Sequence, residues 1–401
     1  MSEIHISRQP IYGCELDIQA YELLYHSFDL TETADLEGNI STSQELINAI
    51  IEIDLDELVG NQPALIHCTK QFLLQGLPAP AAGNRMVLEV LEDTVSSDLM
   101  LRVLGELKTT GYPVALDKFI YDESKRSLVE LADIIKLNIR ALPNDELEKQ
   151  ITQLKEFDVQ LLADKIETHE DFDRCKALGF DLFQGNFLTK PRIVTGQLTP
   201  SNKAAIMQLL AELQDPAVDF HKLGELITSD VSLSHRILRY INSAMFGMRK
   251  TVDSIHKAIT MIGLKPIKSW VSIIAMSKVN DKPQALMTQA LVRAKMCELL
   301  AEEAGLAPDV AFTIGLFSTL DALMDQQLRD LLVALPLSTD TYAALLHYEG
   351  DLGKLLALVL DYEYGDWEAV ENTLYSNDSL HRSYLDAVYW ATETSNKLLA
   401  D

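Results

Sequence analysis

Cysteine is scarce in this 401-residue sequence, and Cys14, Cys68, Cys175 and Cys297 stand alone, with no C-x-x-C pair. That excludes a disulfide framework and predicts a reducing, cytoplasmic setting. Long apolar runs are missing too. None approaches the ~18–20 residues that cross a bilayer, so membrane insertion is not expected. The opening MSEIHISRQP lacks the charged-then-apolar pattern of a targeting segment. Positive charge is in short supply, with 34 Lys and Arg against 60 Asp and Glu and a formal net charge of −26 at pH 7. No basic stripe or cluster appears, which argues against nucleic acid as a partner. The acid reads as a solvated surface, and partners with basic or apolar docking patches suit it.

The length allows two or three domains at roughly 100–200 residues each, and the chain shows two kinds of periodicity. Residues 1–190 alternate short apolar runs with amphipathic stretches. The runs ALIHC (64–68), MVLEV (86–90), VALDKF (114–119), IIKLN (134–138), VQLLAD (159–164) and DLFQG (181–185) read as strands. Between them, DLMLRVLGELKTTG (98–111) places Leu99, Val103, Leu104 and Leu107 on one helix face, with Gly111 as its stop. Such alternation implies a parallel sheet with helices outside. Each run carries a polar residue at or near its C-terminal end: His67, Glu89, Asp117, Lys136 with Asn138, Asp164 and Gln184, and Glu22 in AYELLYHS looks alike. Strand ends share one rim in a β/α barrel, so this recurrence predicts a closed barrel with a site-bearing mouth.

A boundary follows in TKPRIVTGQLTPSN (189–202), and beyond it the periodicity is helical. Ile206, Leu209, Leu210 and Leu213 recur at i, i+3, i+4 and i+7. Asp230 and Ser254 are expected N-caps, and Gly263 and Gly305 expected stops. The domains are therefore set at 1–195 and 196–401. None of the nine histidines precedes an aspartate, and His221, His235, His256, His347 and His381 fall on separate predicted helices. They are read as surface or satisfied core residues. Asn242 and Ser243 are read as fixing a helix end. The stripe Met261, Ile262, Leu264, Ile267, Trp270, Ile273 and Ile274 is read as core, with a docking groove as the alternative.

The motifs of the first half, in order, resemble those of EAL domains, the β/α barrels that hydrolyse the bacterial second messenger cyclic di-GMP. YELLYHS stands at the E-A-L-x-R signature, IHCT (66–69) at I-N-L-S and LEVLEDT (88–94) at E-x-T-E. LDKF (116–119) stands at D-D-F-G, IKLN (135–138) at K-x-D, ADKIET (163–168) at A-E-G-V-E-T, and FQGNFLTKP (183–191) at Q-G-Y-x-F-x-K-P. SDVSLSHRILRYINSAMFG (229–247) and SIHKAITMIGL (254–264) resemble the central part of HDOD domains. The resemblance implies a TIM-like (β/α)8 barrel followed by an all-helical HD-related domain in bacterial signalling. HD hydrolases hold metal with a His–Asp doublet, which this chain lacks.

In the family, carboxylates and an asparagine hold a pair of divalent cations, with Mg or Mn expected on such oxygen ligands. Here the remnant site is Glu22, Glu89, Asp117, Lys136, Asp164, Glu167 and Gln184. The departures are His26 for an arginine that meets phosphate, His67 for the asparagine, and Lys118 and Asn138 for aspartates. The loop FIYDES also lacks the family's glycine. At ~4 Å, two unit charges repel by about 4 kcal/mol at an effective dielectric near 20, so Lys118 beside a cation site would oppose it. Lys118 is expected to pair with Asp117 or Glu89; alternatively it points away from the mouth and one cation binds Glu22, Glu89 and Asp117 weakly. The expectation is a non-enzymatic signalling protein acting through contacts with other signalling proteins or a second copy of itself. It carries no cofactor, Mg or Mn entering only with residual activity, and cyclic di-GMP is not expected as a strong ligand. The alternatives are a weak cyclic di-GMP phosphodiesterase and an inactive cyclic di-GMP receptor.

Overall fold

The computed structural model describes residues 4–27, 55–75, 85–92, 97–192, 201–242, 252–279, 282–371 and 373–399. The first half is a closed eight-stranded barrel with strands in sequence order. They are β1 (Ile4–Tyr12), β2 (Ile18–Ser27), β3 (Ala64–His67), β4 (Met86–Leu91), β5 (Val114–Asp117), β6 (Ile134–Asn138), β7 (Gln160–Asp164) and β8 (Leu182–Gln184). Strands β2 to β8 run parallel. β1 does not: it is antiparallel to both β2 and β8, which corrects the all-parallel expectation. The cause is local. Gly13 N–H donates to the Asp17 carbonyl at 2.9 Å, closing a turn too short for a crossover helix, so β1 and β2 form a hairpin.

The barrel interior is packed. One residue from each strand forms an apolar cluster of Ile11, Ala20, Leu65, Val87, Ala115, Ile134, Leu162 and Leu182. Outside, the helix Asp98–Thr109 is capped by the Ser97 hydroxyl, and Gly111 follows it at φ 102°. Its buried face is Met100, Leu104 and Leu107. Leu99, expected on that face, is 54% exposed, because the helix is rotated by one position from the reading of the pattern.

The chain divides into two compact units, Met1–Lys190 with Tyr362–His381, and Pro191–Asp361 with Arg382–Asp401. The sequence-based division at 195/196 does not contain the returning segment Tyr362–His381. There the Tyr362 hydroxyl donates to the Ile6 carbonyl at 3.3 Å, and its ring centroid lies 5.3 Å from that of Trp367.

The second unit is helical. Asp230 and Ser254 accept from the Leu233 and Lys257 amides as N-caps. Gly263 and Gly305 adopt positive φ at helix ends, as expected. Asn242 terminates the helix Val231–Ile241, donating to the Leu238 and Val252 carbonyls and accepting from the Val252 amide. Ser243 lies outside the described residues. From the apolar stripe, Ile267, Trp270, Ile273 and Ile274 are buried, whereas Met261 is exposed. The helix Gln284–Glu303 packs closely on Pro308–Phe317 at Gly315, where a Cβ would lie 2.7 Å from the Ala294 Cα.

An ionic knot sits in this unit. Asp325, at φ 56°, accepts from Lys282 Nζ at 2.5 Å, Lys203 Nζ at 3.0 Å and the Arg192 amide at 2.9 Å. Both lysine side chains are at most 9% exposed. Breaking a buried ion pair leaves an uncompensated charge, which costs far more than the pair itself contributes. Asp325→Asn keeps the left-handed backbone available but removes the anion. It should lower unfolding free energy by about 3–5 kcal/mol in urea titrations; a loss below about 1 kcal/mol would mean that the lysines find other anions.

Candidate functional site at the barrel mouth

Side chains alternate along a strand, so the residue two positions beyond each interior core residue also points inward. That step leads from Ala20 to Glu22, Leu65 to His67, Val87 to Glu89, Ala115 to Asp117, Ile134 to Lys136, Leu162 to Asp164 and Leu182 to Gln184. β1 runs the other way, so its counterpart lies two positions before Ile11, at Gln9. Each of the eight strands thus contributes one polar residue to a ring at the C-terminal end of β2–β8. Gly185, next to Gln184, permits the close approach of the chain after β7: a Cβ there would lie 2.1 Å from the Ile166 carbonyl oxygen.

The even-numbered strands are joined by hydrogen bonds. Lys136 Nζ donates to Glu22 Oε2 at 2.7 Å and to Glu89 Oε1 at 2.9 Å. Gln184 Nε2 donates to Glu22 Oε2 and, at 2.9 Å, to Gln9 Oε1. Lys136 and Glu89 are buried, with Glu22 14% exposed at the side chain. Gln184 Oε1 is buried without a hydrogen-bond partner among the described residues, an acceptor open to a donor from a ligand or water.

Electrostatics separate the two glutamates. Burial pushes Glu89 up to about 8, the Glu22 charge adds to that, and Lys136 opposes it. Burial also pushes Glu22 upward, but Lys136, with Gln184 and Lys165, outweighs it and holds Glu22 below the usual carboxylate range. Burial would lower Lys136, yet Glu89 and Glu22 raise it well above an ordinary lysine. Burial raises Asp164. Burial also lowers His67, against the pull of Asp117 and Glu22, and so favours a neutral imidazole.

The remaining sequence candidates lie elsewhere. Asn138 is partly exposed, and its Oδ1 accepts from the Arg140 amide, fixing the turn after β6. Glu167 is exposed, 3.9 Å from Arg140 and 3.8 Å from Lys190. His26 pairs with His5 in the β1–β2 register, and its side chain lies outside the described residues. Gln9 was missed because β1 is antiparallel. The rule of strand C-terminal ends cannot find a residue near the start of its strand; the hairpin at Gly13–Asp17 was the available signal.

Lys118 departs most from expectation. It lies beyond the end of β5, exposed, at φ 52°. Among the described residues it forms no ion pair with Asp117 or Glu89. The Asp117 Oδ1 instead accepts the Lys118 main-chain N–H at 2.8 Å. An exposed ammonium on a four-carbon stem can swing clear of the ring. Glu22, Glu89 and Asp117 are oxygen donors of the type Mg or Mn prefers. As arranged, however, the protein's own Lys136 holds two of them. No group of three or more His, Cys, Asp or Glu among the described residues could hold a metal. As they stand, Glu22 and Glu89 satisfy Lys136 rather than form a preformed metal centre.

Glu89 provides a pH signature. A carboxyl raised in the folded state stabilises the fold fully below its unfolded value near 4.3, and that contribution is lost as pH climbs towards about 8. Glu89→Gln removes the titration. The Tm of the native chain minus that of the variant should fall steadily from about pH 5 to about pH 8 in scanning calorimetry. A difference independent of pH would contradict the raised value.

The ring can be compared with known proteins. Family models match an EAL domain at residues 44–191 and an HDOD domain at residues 199–334. The uncharacterized protein YuxH of Bacillus subtilis (strain 168) is 28% identical over 403 residues, covering 96% of this chain and 98% of its own. The cyclic di-GMP phosphodiesterase CdgJ of Vibrio cholerae is 27% identical over 411 residues, covering 100% of this chain and 94% of its own. Among solved structures, the Bacillus subtilis YkuI protein, with an EAL domain, in complex with cyclic di-GMP and calcium, aligns with 65% of this chain and 73% of its own. Its sequence identity is 18% and the TM-score 0.37. The non-enzymatic expectation is thereby corrected: a relative matching along the whole chain is named as a phosphodiesterase. No helix of the described residues is long and apolar enough to cross a membrane. With a closed barrel, a helical second unit and both family models matched in order, the chain combines an EAL domain with an HDOD domain.

Proposed function

We propose that this chain is a slow cyclic di-GMP phosphodiesterase, with the barrel mouth as its site and the helical unit as its output. The observation that carries the reading is the convergence of Glu22, Glu89, Asp117, Lys136 and Gln184 on one inward ring. It brings carboxylates, a buried cation and an amide to the side of the barrel where strand ends place chemistry. The Vibrio cholerae relative that matches along this whole chain is named as a cyclic di-GMP phosphodiesterase, which supports the same reading. Mg or Mn enters this reading only with residual activity, and only by displacing Lys136 from Glu22 and Glu89, which is the reason turnover is expected to be slow. The helical unit carries no His–Asp doublet in its sequence, and its role in this reading is contact with other signalling proteins or a second copy of the chain.

The test is direct. Purified chain with cyclic di-GMP and Mg or Mn should release the linear dinucleotide, resolved by chromatography. Glu22→Ala should lower the rate by about 10²-fold or more. Product formation no faster than in Glu22→Ala would reject the phosphodiesterase reading.

A further inference from the structure

Two lysines at the mouth make no side-chain hydrogen bond or ion pair with the ring among the described residues. Lys118 follows β5 and Lys165 follows β7, on either side of the strand that carries Lys136. Their local structures repeat. Each follows a strand-terminal aspartate, each adopts left-handed backbone, at φ 52° and 62°, and each donates its main-chain N–H to the Oδ1 of that aspartate, at 2.8 and 2.7 Å. A β-carbon disfavours this conformation and glycine adopts it freely. Where the EAL motif A-E-G-V-E-T has glycine, this chain has Lys165. A long cationic side chain is thus held twice where the backbone alone would favour glycine.

Neither ammonium has an ion-pair partner among the described residues, although the chain as a whole carries a net charge of −26. Both side chains are exposed, and both charges act on the ring: Lys165 on Glu22 and Asp164, Lys118 on His67. The ring itself holds four carboxyl groups, Glu22, Glu89, Asp117 and Asp164, against one buried ammonium. A phosphodiester anion approaching that ring would meet repulsion unless further positive charge stood at its rim.

We propose that Lys118 and Lys165 form a paired anion grip that binds the phosphodiester oxygens of a cyclic dinucleotide over the carboxylate ring. This rests on the reading of the mouth as a cyclic di-GMP site. It turns Lys118 from an obstacle to chemistry into a binding residue. It also assigns Lys165, a position outside the motif residues first singled out. The grip makes binding independent of divalent cations, because the protein supplies the positive charge.

The experiment is calorimetric titration of the full chain with cyclic di-GMP in EDTA, where hydrolysis does not interfere. The variants are Lys118→Gly and Lys165→Gly, which remove the charge and relieve the backbone. Each should weaken binding by about ten- to hundredfold, and the double variant further, with a shallower dependence on salt. Their Tm should stay level or rise, since glycine suits the conformation. A merely structural lysine would not give weaker binding in a more stable protein. Lys118→Arg and Lys165→Arg should retain affinity. If the native chain binds and the glycine variants bind equally well, the grip is overturned while the phosphodiesterase reading stands. If the native chain neither binds in EDTA nor hydrolyses cyclic di-GMP with Mg or Mn, both fail. If it hydrolyses but binds only when metal is present, the grip alone fails.

Discussion

The buried ammonium of Lys136, held between Glu22 and Glu89, is the constraint around which the barrel mouth is built. A charge taken out of water must be compensated within a few ångströms, and the compensation must come from other strands. Closure of the barrel makes this possible. Residues on β2, β4 and β6 are far apart in sequence yet meet in one inward layer. One ammonium cannot fully compensate two buried carboxylates. The less accessible one, Glu89, therefore favours its protonated form, while Glu22 stays ionised. Two chemically identical side chains acquire opposite protonation preferences from their surroundings alone.

The ring works as a site because of what lies beneath it. The floor of Ile11, Ala20, Leu65, Val87, Ala115, Ile134, Leu162 and Leu182 is apolar and buried, so the polar layer opens towards the mouth. Low polarizability below and solvent above sharpen every charge on the ring. The division between the layers is a matter of parity. A shift of one residue in any strand would exchange its inward polar group for an outward one. The hairpin, the Gly185 contact and the parallel pairings together fix that parity.

Much of this arrangement could be read from the amino-acid order, for a physical reason. A buried strand is a short apolar run, and a lone Glu, Asp or Lys at its end is conspicuous. Glu89, Asp117, Lys136, Asp164 and Gln184 stood out in that way. Helix caps such as Asp230 and Ser254 were legible because capping is a contact over three residues. Strand direction is not local. Nothing within MSEIHISRQP states that β1 runs against its neighbours, and so Gln9 went unseen. The position of Lys118 was hidden for the same kind of reason. Whether a residue continues a strand or turns left-handed after it depends on φ, which the run VALDKF does not reveal. The return of Tyr362–His381 to the barrel unit is longer in range still: Tyr362 meets a carbonyl 356 positions earlier.

The reversed first strand has a consequence for the ring. Because β1 runs against the other strands, Gln9 reaches the ring beside Gln184, and its amide oxygen accepts from Gln184 Nε2 at 2.9 Å. A Leu in place of Gln9 would leave that nitrogen with Glu22 as its one acceptor among the described residues.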